Sequence, residues 1–231
     1  MKVKAKLPHS AAASRATKRI IVVDDHPLTC EGVAHLLRSE PGLAVVGVAA
    51  TAKAALHLVR AKSPHLVLTD LSLAESSGLE LVKDLHAQFP QVAVLVFSMH
   101  YESLYAERVL RAGARGYIMK SEGAARLLAA VRRVLQGEVY LSEVMRDRAV
   151  HRFGGSPATR EGDHAAALSD RELEVFELIG QAFGTRQIAA HLRLSTSTVE
   201  THRAHLKEKL HLHTATELVR AAVEWVDGRQ R

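Results

Sequence analysis

Three carboxylates, a hydroxyl and an ammonium stand at the carboxyl ends of four apolar runs in the first half of this 231-residue chain. Asp24 and Asp25 follow Ile20-Ile-Val-Val23, Asp70 closes Val67-Leu-Thr, Ser98 closes Val96-Phe, and Lys120 follows Ile118-Met119. Like charges at close range raise one another's pKa and disfavour the folded state unless something neutralises them. A divalent cation does so, and an oxygen-only set with open positions suits Mg²⁺, which keeps waters and accepts a phosphate oxygen. Asp70 then becomes a candidate nucleophile for an aspartyl phosphate. Lys120 and the Ser98 hydroxyl are placed to contact the phosphoryl oxygens. Each aspartate alone is explained as well by a loop or cap role; five such residues at the ends of four strands are not.

The elements that must position this set follow from periodicity. Short aliphatic runs at 20–24, 44–50, 65–70, 92–98 and 114–119 read as strands. Helix-period segments occupy 28–40, 52–62, 78–89, 102–113 and 122–136, and their ends are marked by Pro41-Gly42, Pro64, Pro90 and Gly113. Strict alternation with near-continuous apolar strands predicts an α/β fold, a doubly wound five-stranded parallel sheet covered on both faces. Ligands bind beyond the carboxyl ends of such strands. The first domain spans 19–137, behind a basic tail at 1–18 that reads as disordered. Residues 138–166, with Gly154-Gly-Ser-Pro157, read as a linker. Residues 167–231 are purely helical, and Ser169 with Glu172 forms a capping box.

Four segments, Val22-Val-Asp-Asp-His-Pro27, Val67-Leu-Thr-Asp-Leu-Ser72, Val96-Phe-Ser-Met-His100 and Gly116-Tyr-Ile-Met-Lys120, resemble the receiver motifs of bacterial two-component response regulators of the NarL/FixJ group. The resemblance implies that Asp70 accepts phosphate from a histidine kinase. It also implies that Asp25, Asp70 and the Ser72 carbonyl bind Mg²⁺ with Asp24 assisting, that Lys120 contacts the phosphate, and that Ser98 and Tyr117 form a switch pair. Ala74 and Ser77 depart from the family pattern, in which proline and an acid are usual; neither removes a ligand. A phosphoryl group would draw the Ser98 hydroxyl inward and vacate space for the Tyr117 ring. His26 and His100 read as loop residues.

In the helical part, Ile188, Ala189, Leu192, Leu194 and Val199 are spaced to join two helices across a short turn, and Ser195 to Thr198 supply cap hydroxyls where a helix N-terminus can meet phosphate. The second helix would enter the major groove. Arg203 and Lys207, four residues apart, project together toward base edges or phosphates. The span from Leu168-Ser-Asp-Arg-Glu172 to Leu210, including Thr198-Val-Glu-Thr-His-Arg203, resembles the LuxR-type DNA-binding domain. Its expected contacts are Thr198, Glu200, Thr201, Arg203 and Lys207. Leu218, Val219, Ala222 and Trp225 form an apolar stripe that either completes the core or makes a dimer seam, and the resemblance favours the dimer, with inverted half-sites.

Composition bounds the alternatives. The net charge of +6 is carried by the first 19 residues, which hold six cations and no acid; the remainder is balanced. One cysteine, Cys30, excludes an internal disulfide and fits a reducing cytoplasm. No apolar run suggests a membrane span or secretory signal. A phosphatase resembling haloacid dehalogenases would want an acid where Ser72 stands, and a purely interacting receiver would not need the intact acidic set. The chain is therefore expected to be a phosphorylation-controlled transcription regulator that dimerises on promoter DNA. Any catalysis is expected to be confined to the receiver's own phosphoryl transfer and dephosphorylation.

Overall fold

A computed structural model describes residues 17–73, 77–147 and 167–227. Its first part is a parallel sheet of β1 (Lys18–Val23), β2 (Leu43–Ala49), β3 (Leu66–Thr69), β4 (Ala93–Ser98) and β5 (Gly116–Met119), in the order β2-β1-β3-β4-β5. Between and after the strands run α1 (Pro27–Arg38), α2 (Ala52–Lys62), α3 (Gly78–Gln88), α4 (Glu102–Arg111) and α5 (Ala124–Leu135), the last preceded by a 3-10 turn over Lys120–Glu122.

The period-two pleat sorts each apolar strand between two cores. Ile20, Val22, Leu66, Leu68, Leu95 and Ile118 face α1 and α5, where they meet Leu37, Leu127 and Val131. Ile21, Val23, Val67, Val94, Val96 and Tyr117 face the other way, onto Val59, Leu81, Leu85 and Val109 of α2, α3 and α4. Each fully buried aliphatic side chain contributes about 1.5–3 kcal/mol, so runs with no polar position are stable only between two helical layers. From β1 the chain goes to β2 on one side and then crosses to β3 on the other, which opens a crevice at the carboxyl ends of β1 and β3.

The segment expected to begin the linker stays attached to the receiver. Tyr140 N–H donates to the Arg115 carbonyl (3.0 Å) and its own carbonyl accepts from Tyr117 N–H (3.0 Å). Leu141 is buried, and Ser142 N–H donates to the Glu102 carboxylate at 2.8 Å. These partners lie 23 to 40 residues back in the chain, where local turn signals cannot reveal them. The basic tail through residue 16, Ala74 and residues 148–166 lie outside the described residues.

The helical domain comprises α6 (Asp170–Gly180), α7 (Thr185–Leu192), α8 (Thr196–Lys209) and α9 (Ala215–Asp227). Ser169 caps α6 through the reciprocal bonds of a capping box with Glu172. Here one expectation is corrected. Leu218 and Ala222 are fully buried within the chain, so they complete the core and do not form a dimer seam. The reason is close approach of α9 to α6: a Cβ on Gly180 would lie 2.4 Å from the Ala222 carbonyl. Trp225 packs on Phe176 with ring centroids 5.2 Å apart, and of the stripe only Val219 is exposed.

Candidate phosphoacceptor pocket and nucleic-acid interface

At the β1–β3 crevice Lys120 joins Asp24 and Asp70, Asp25 adjoins Asp24, and Ser98 closes the neighbouring β4. Asp24 and Asp70 are buried. Lys120 Nζ donates to Asp24 Oδ2 at 2.6 Å and to Asp70 Oδ2 at 2.7 Å. The other oxygen of Asp70 accepts from Leu71 N–H at 2.6 Å, and that of Asp24 accepts from His26 N–H at 2.9 Å. Burial works against the Lys120 charge, but Asp70 and Asp24 hold its pKa above the ordinary lysine value.

Asp25 Oδ1 is buried and accepts no hydrogen bond, although His26 Nδ1 lies 2.8 Å away. An orphaned carboxylate oxygen beside a second acid, Asp24, is what a hard cation would satisfy; Asp70 is not in that group. One ligand atom each from Asp24, Asp25 and His26 lie within 4.8 Å of one another. The residues present therefore fit Mg²⁺, with His26, a nitrogen donor two-thirds exposed, the least suited.

The acceptor loop closes tightly. Gly78 N–H donates to the Leu71 carbonyl at 2.7 Å, and a Cβ on Gly78 would lie 2.0 Å from the Asp70 carbonyl. Only glycine lets the start of α3 pass so near the acceptor. Ser77 caps α3, its Oγ accepting from Leu79 N–H at 3.2 Å, so this departure from the family pattern keeps the helix start satisfied.

Ser98 is fully buried. Tyr117 is not waiting outside for space: its ring is fully buried, and its hydroxyl donates to the His100 carbonyl at 2.7 Å. Burial pushes this phenol well above its ordinary pKa, against the opposing Ser98 hydrogen bond. The inward ring is possible because the pleat of β5, an edge strand, turns position 117 toward the core under α4, and the His100 carbonyl supplies the acceptor its hydroxyl needs.

Sequence reasoning missed the role of His100. It is 95% buried. Its Nε2 lies 2.9 Å from Ser72 Oγ, and its Nδ1–H donates to Glu177 Oε2 on α6 at 2.8 Å. Burial opposes its charge, yet the Glu177 hydrogen bond, with Glu174 and Asp70 behind it, raises its pKa. Tyr105 also donates to Glu177, at 3.4 Å. Nearby, Arg108 of α4 donates to the Leu168 carbonyl and to Asp170, both at 2.9 Å, and Lys83 of α3 reaches Asp170 at 3.3 Å. One buried apolar cluster runs from the β-sheet face into α6. The only signal in the sequence was an acid inside Val175-Phe-Glu-Leu-Ile179, a stretch otherwise apolar.

In the helix-turn-helix unit, Arg193 turns the chain between α7 and α8 at φ 53° and its guanidinium lies 3.3 Å from Asp25 Oδ2. Ser195 Oγ accepts from Thr198 N–H at 3.0 Å, capping α8. On α8, Val199 and Leu206 turn inward. Glu200 and Thr201 are exposed, Glu200 accepting from the Thr185 hydroxyl at 2.7 Å and Thr201 donating to the Ser197 carbonyl at 3.1 Å. Thr198, Arg203 and Lys207 are partly buried, and Arg203 leans toward Glu200 at 3.9 Å. The expected DNA-facing residues therefore share one helix, but Arg203 is more covered than a free charged face would be. Among the described residues no helix is long and apolar enough to cross a membrane.

The response regulator receiver domain matches residues 20–132, and the family of bacterial regulatory proteins of the luxR type matches residues 166–222. The chain is 34% identical over 210 residues to the oxygen regulatory protein NreC of Staphylococcus carnosus, covering 89% of this chain and 97% of that protein. It is 33% identical over 210 residues to NreC of Staphylococcus aureus, with the same coverage. A LuxR-family two-component response regulator from Aurantimonas sp. SI85-9A1 superposes with a TM-score of 0.56 at 34% identity, over 60% of this chain and 99% of that one. The fold is also that of RcsB from Salmonella enterica serovar Typhimurium bound to promoter P1flhDC with the phosphomimetic BeF3⁻ (TM-score 0.60, 24% identity, 89% of this chain and 98% of that one). With both domain types in this order and a full-length relationship to known regulators, the chain belongs to the response regulators of the NarL/FixJ group, a receiver domain joined to a LuxR-type DNA-binding domain.

Proposed function

We propose that Asp70 is the phosphoacceptor through which a sensor histidine kinase controls dimerisation and promoter binding by this regulator. The observation that carries the reading is the Asp70 carboxylate, held at the β1–β3 crevice between the Lys120 ammonium and the paired acids Asp24 and Asp25. In the transfer step, an Asp70 carboxylate oxygen bonds to the phosphorus of a phosphohistidine while the P–N bond breaks, and the departing imidazole takes up a proton. Lys120 contacts the new phosphoryl oxygens, relieved of part of its present pairing with Asp70, and the Ser98 hydroxyl hydrogen-bonds another. Asp25, Asp70 and the Ser72 carbonyl, with Asp24 beside them, would hold Mg²⁺, whose contribution when bound is to neutralise the carboxylates so that an anionic phosphoryl group can approach.

On the DNA side, Thr198, Glu200, Thr201, Arg203 and Lys207 form the reading face of α8, with the capped N-terminus of that helix at a phosphate. Val219 and the outer edge of Trp225 are the part of α9 left for a symmetric contact between two copies. The test is selection of bound fragments from genomic DNA by wild type and Asp70→Asn, each with Mg²⁺ and a small phosphodonor. Wild type alone is expected to enrich one palindromic sequence. Equal enrichment by both proteins would remove the phosphate switch while leaving DNA binding intact.

A further inference from the structure

The receiver and the DNA-binding domain meet at several contacts, and the one at His100 runs back to the acidic pocket. His100 lies two residues after Ser98, and four separate parts of the protein touch it. Its N–H donates to Ser98 Oγ at 3.4 Å, and its carbonyl accepts from the Tyr117 hydroxyl at 2.7 Å. Its ring joins the acceptor loop at Ser72 Oγ (2.9 Å) to Glu177 of the DNA-binding domain (2.8 Å). The Nδ1–H donates to Glu177 whether or not the ring is charged, because Ser72 can serve as donor or acceptor at Nε2.

Glu177 makes little sense within its own domain. All residues of α6 from Glu172 to Ile179 are buried. A helix buried all round needs cover on every face, and here the face bearing Glu174 and Glu177 is covered by the receiver. Glu174 is satisfied by Arg171 of its own helix, whereas Glu177 takes its shortest bond from His100 and another from Tyr105, both in the receiver, and only a 3.5 Å bond from Gln181 of its own domain. A buried carboxylate deprived of its partner is strongly unfavourable, so the docked arrangement depends on His100 being where it is. Beside it, Arg193 on Asp25 places the turn before α8 against the acidic pocket. DNA phosphates approaching the α8 N-terminus would meet the negative charge of that pocket.

We propose that His100 is a positioning residue that ties the phosphoacceptor loop and both switch residues to Glu177, holding the DNA-binding domain against the receiver until the loop is rearranged. The inference rests on the Asp70 switch reading and names the contact by which that switch reaches the second domain. When Ser98 turns to a phosphoryl oxygen, the His100 backbone loses an acceptor and its ring loses alignment with Ser72, and the Glu177 contact goes with them.

The test uses the full chain, its affinity for the selected DNA fragment, and the rate of protease cleavage between residues 148 and 166. Without phosphodonor, Glu177→Ala and His100→Ala are each expected to raise affinity within the range of about 5- to 150-fold that coupling between sites spans, and to speed cleavage. The double variant should add nothing to either single one, since both remove the same contact. A gain of binding is not what misfolding produces; should Glu177→Ala fail to fold, Glu177→Gln keeps the shape and is expected to shift both readouts the same way, less far. Apo affinity within twofold of wild type in both Glu177 variants, or additive effects in the double variant, overturns the proposal. The phosphodonor arm on wild type separates the two readings. No response there with the variants still activated removes the phosphate switch and keeps the His100–Glu177 tie; a normal response with inert variants does the reverse.

Discussion

Buried charge is handled differently at the two places where this protein concentrates it. At the crevice between β1 and β3, Asp24 and Asp70 share one ammonium, Asp25 has the partly exposed Arg193 guanidinium and the exposed His26 ring beside it, and a buried Asp25 oxygen is left without a hydrogen bond. Between the domains, Glu174 meets Arg171 and Glu177 meets His100, so each acid has its own partner. An excess of one sign in a buried place suits a site that takes up something that comes and goes, in the proposed function a cation and a phosphoryl group. A matched set marks a contact the protein makes with itself. The first kind is intrinsically strained when empty and the second is strained only when pulled apart.

Several experiments would sharpen or break this contrast. A large effect on the receiver is expected from Gly78→Ala, whose methyl group would collide with the Asp70 carbonyl. Overpacking of this kind costs about 2–3 kcal/mol, to be read as a loss of thermal stability together with slowed labelling by a phosphodonor. An unchanged melt would mean that the loop gives way and the close approach is not required.

Lys120→Met removes the ammonium that Asp24 and Asp70 share. It should destabilise the apo receiver by about 3 kcal/mol, and added Mg²⁺ should raise the melting temperature more in the variant than in wild type. If Mg²⁺ stabilises both equally, the pocket does not carry the charge excess described here.

Glu172 tests a matched pair in the helical domain. Lys209 Nζ donates to it at 2.7 Å and Ser169 N–H at 2.8 Å. Burial acts against its charge, but these bonds hold its pKa below the ordinary carboxylate value. A depressed pKa contributes stability that is present at neutral pH and lost as pH falls through the folded-state value. Glu172→Gln is therefore expected to cost about 1 kcal/mol at pH 7, with the difference from wild type closing in acid. A deficit that persists at low pH would point to packing instead of charge.

The smallest effect is expected at Arg193, whose side chain is 54% exposed and 3.3 Å from Asp25. Such a pair is worth about 0.2–1 kcal/mol. Arg193→Ala should tighten Mg²⁺ binding only a few-fold by calorimetry, because guanidinium and cation compete for one carboxylate. Weaker Mg²⁺ binding in the variant would show that Arg193 supports the site.

The sequence alone determined the receiver sheet, the capped helices of the DNA-binding domain and the acidic set, because each is written in local terms: a two- or 3.6-residue period, a cap three residues from its partner, an acid at the end of an aliphatic run. It placed Leu218 and Ala222 on the right stripe of α9 yet on the wrong partner, since an apolar stripe does not say whether it faces its own chain or a second copy. The close approach of Gly180 decides that. His100 and Glu177 were invisible for the same reason. They stand 77 residues apart, each ordinary in its own surroundings, and only the packing of α6 against the β4–α4 corner makes a buried pair of them. Tertiary structure also put the Tyr117 ring inside, because that position depends on a carbonyl 17 residues away and not on the strand that carries it.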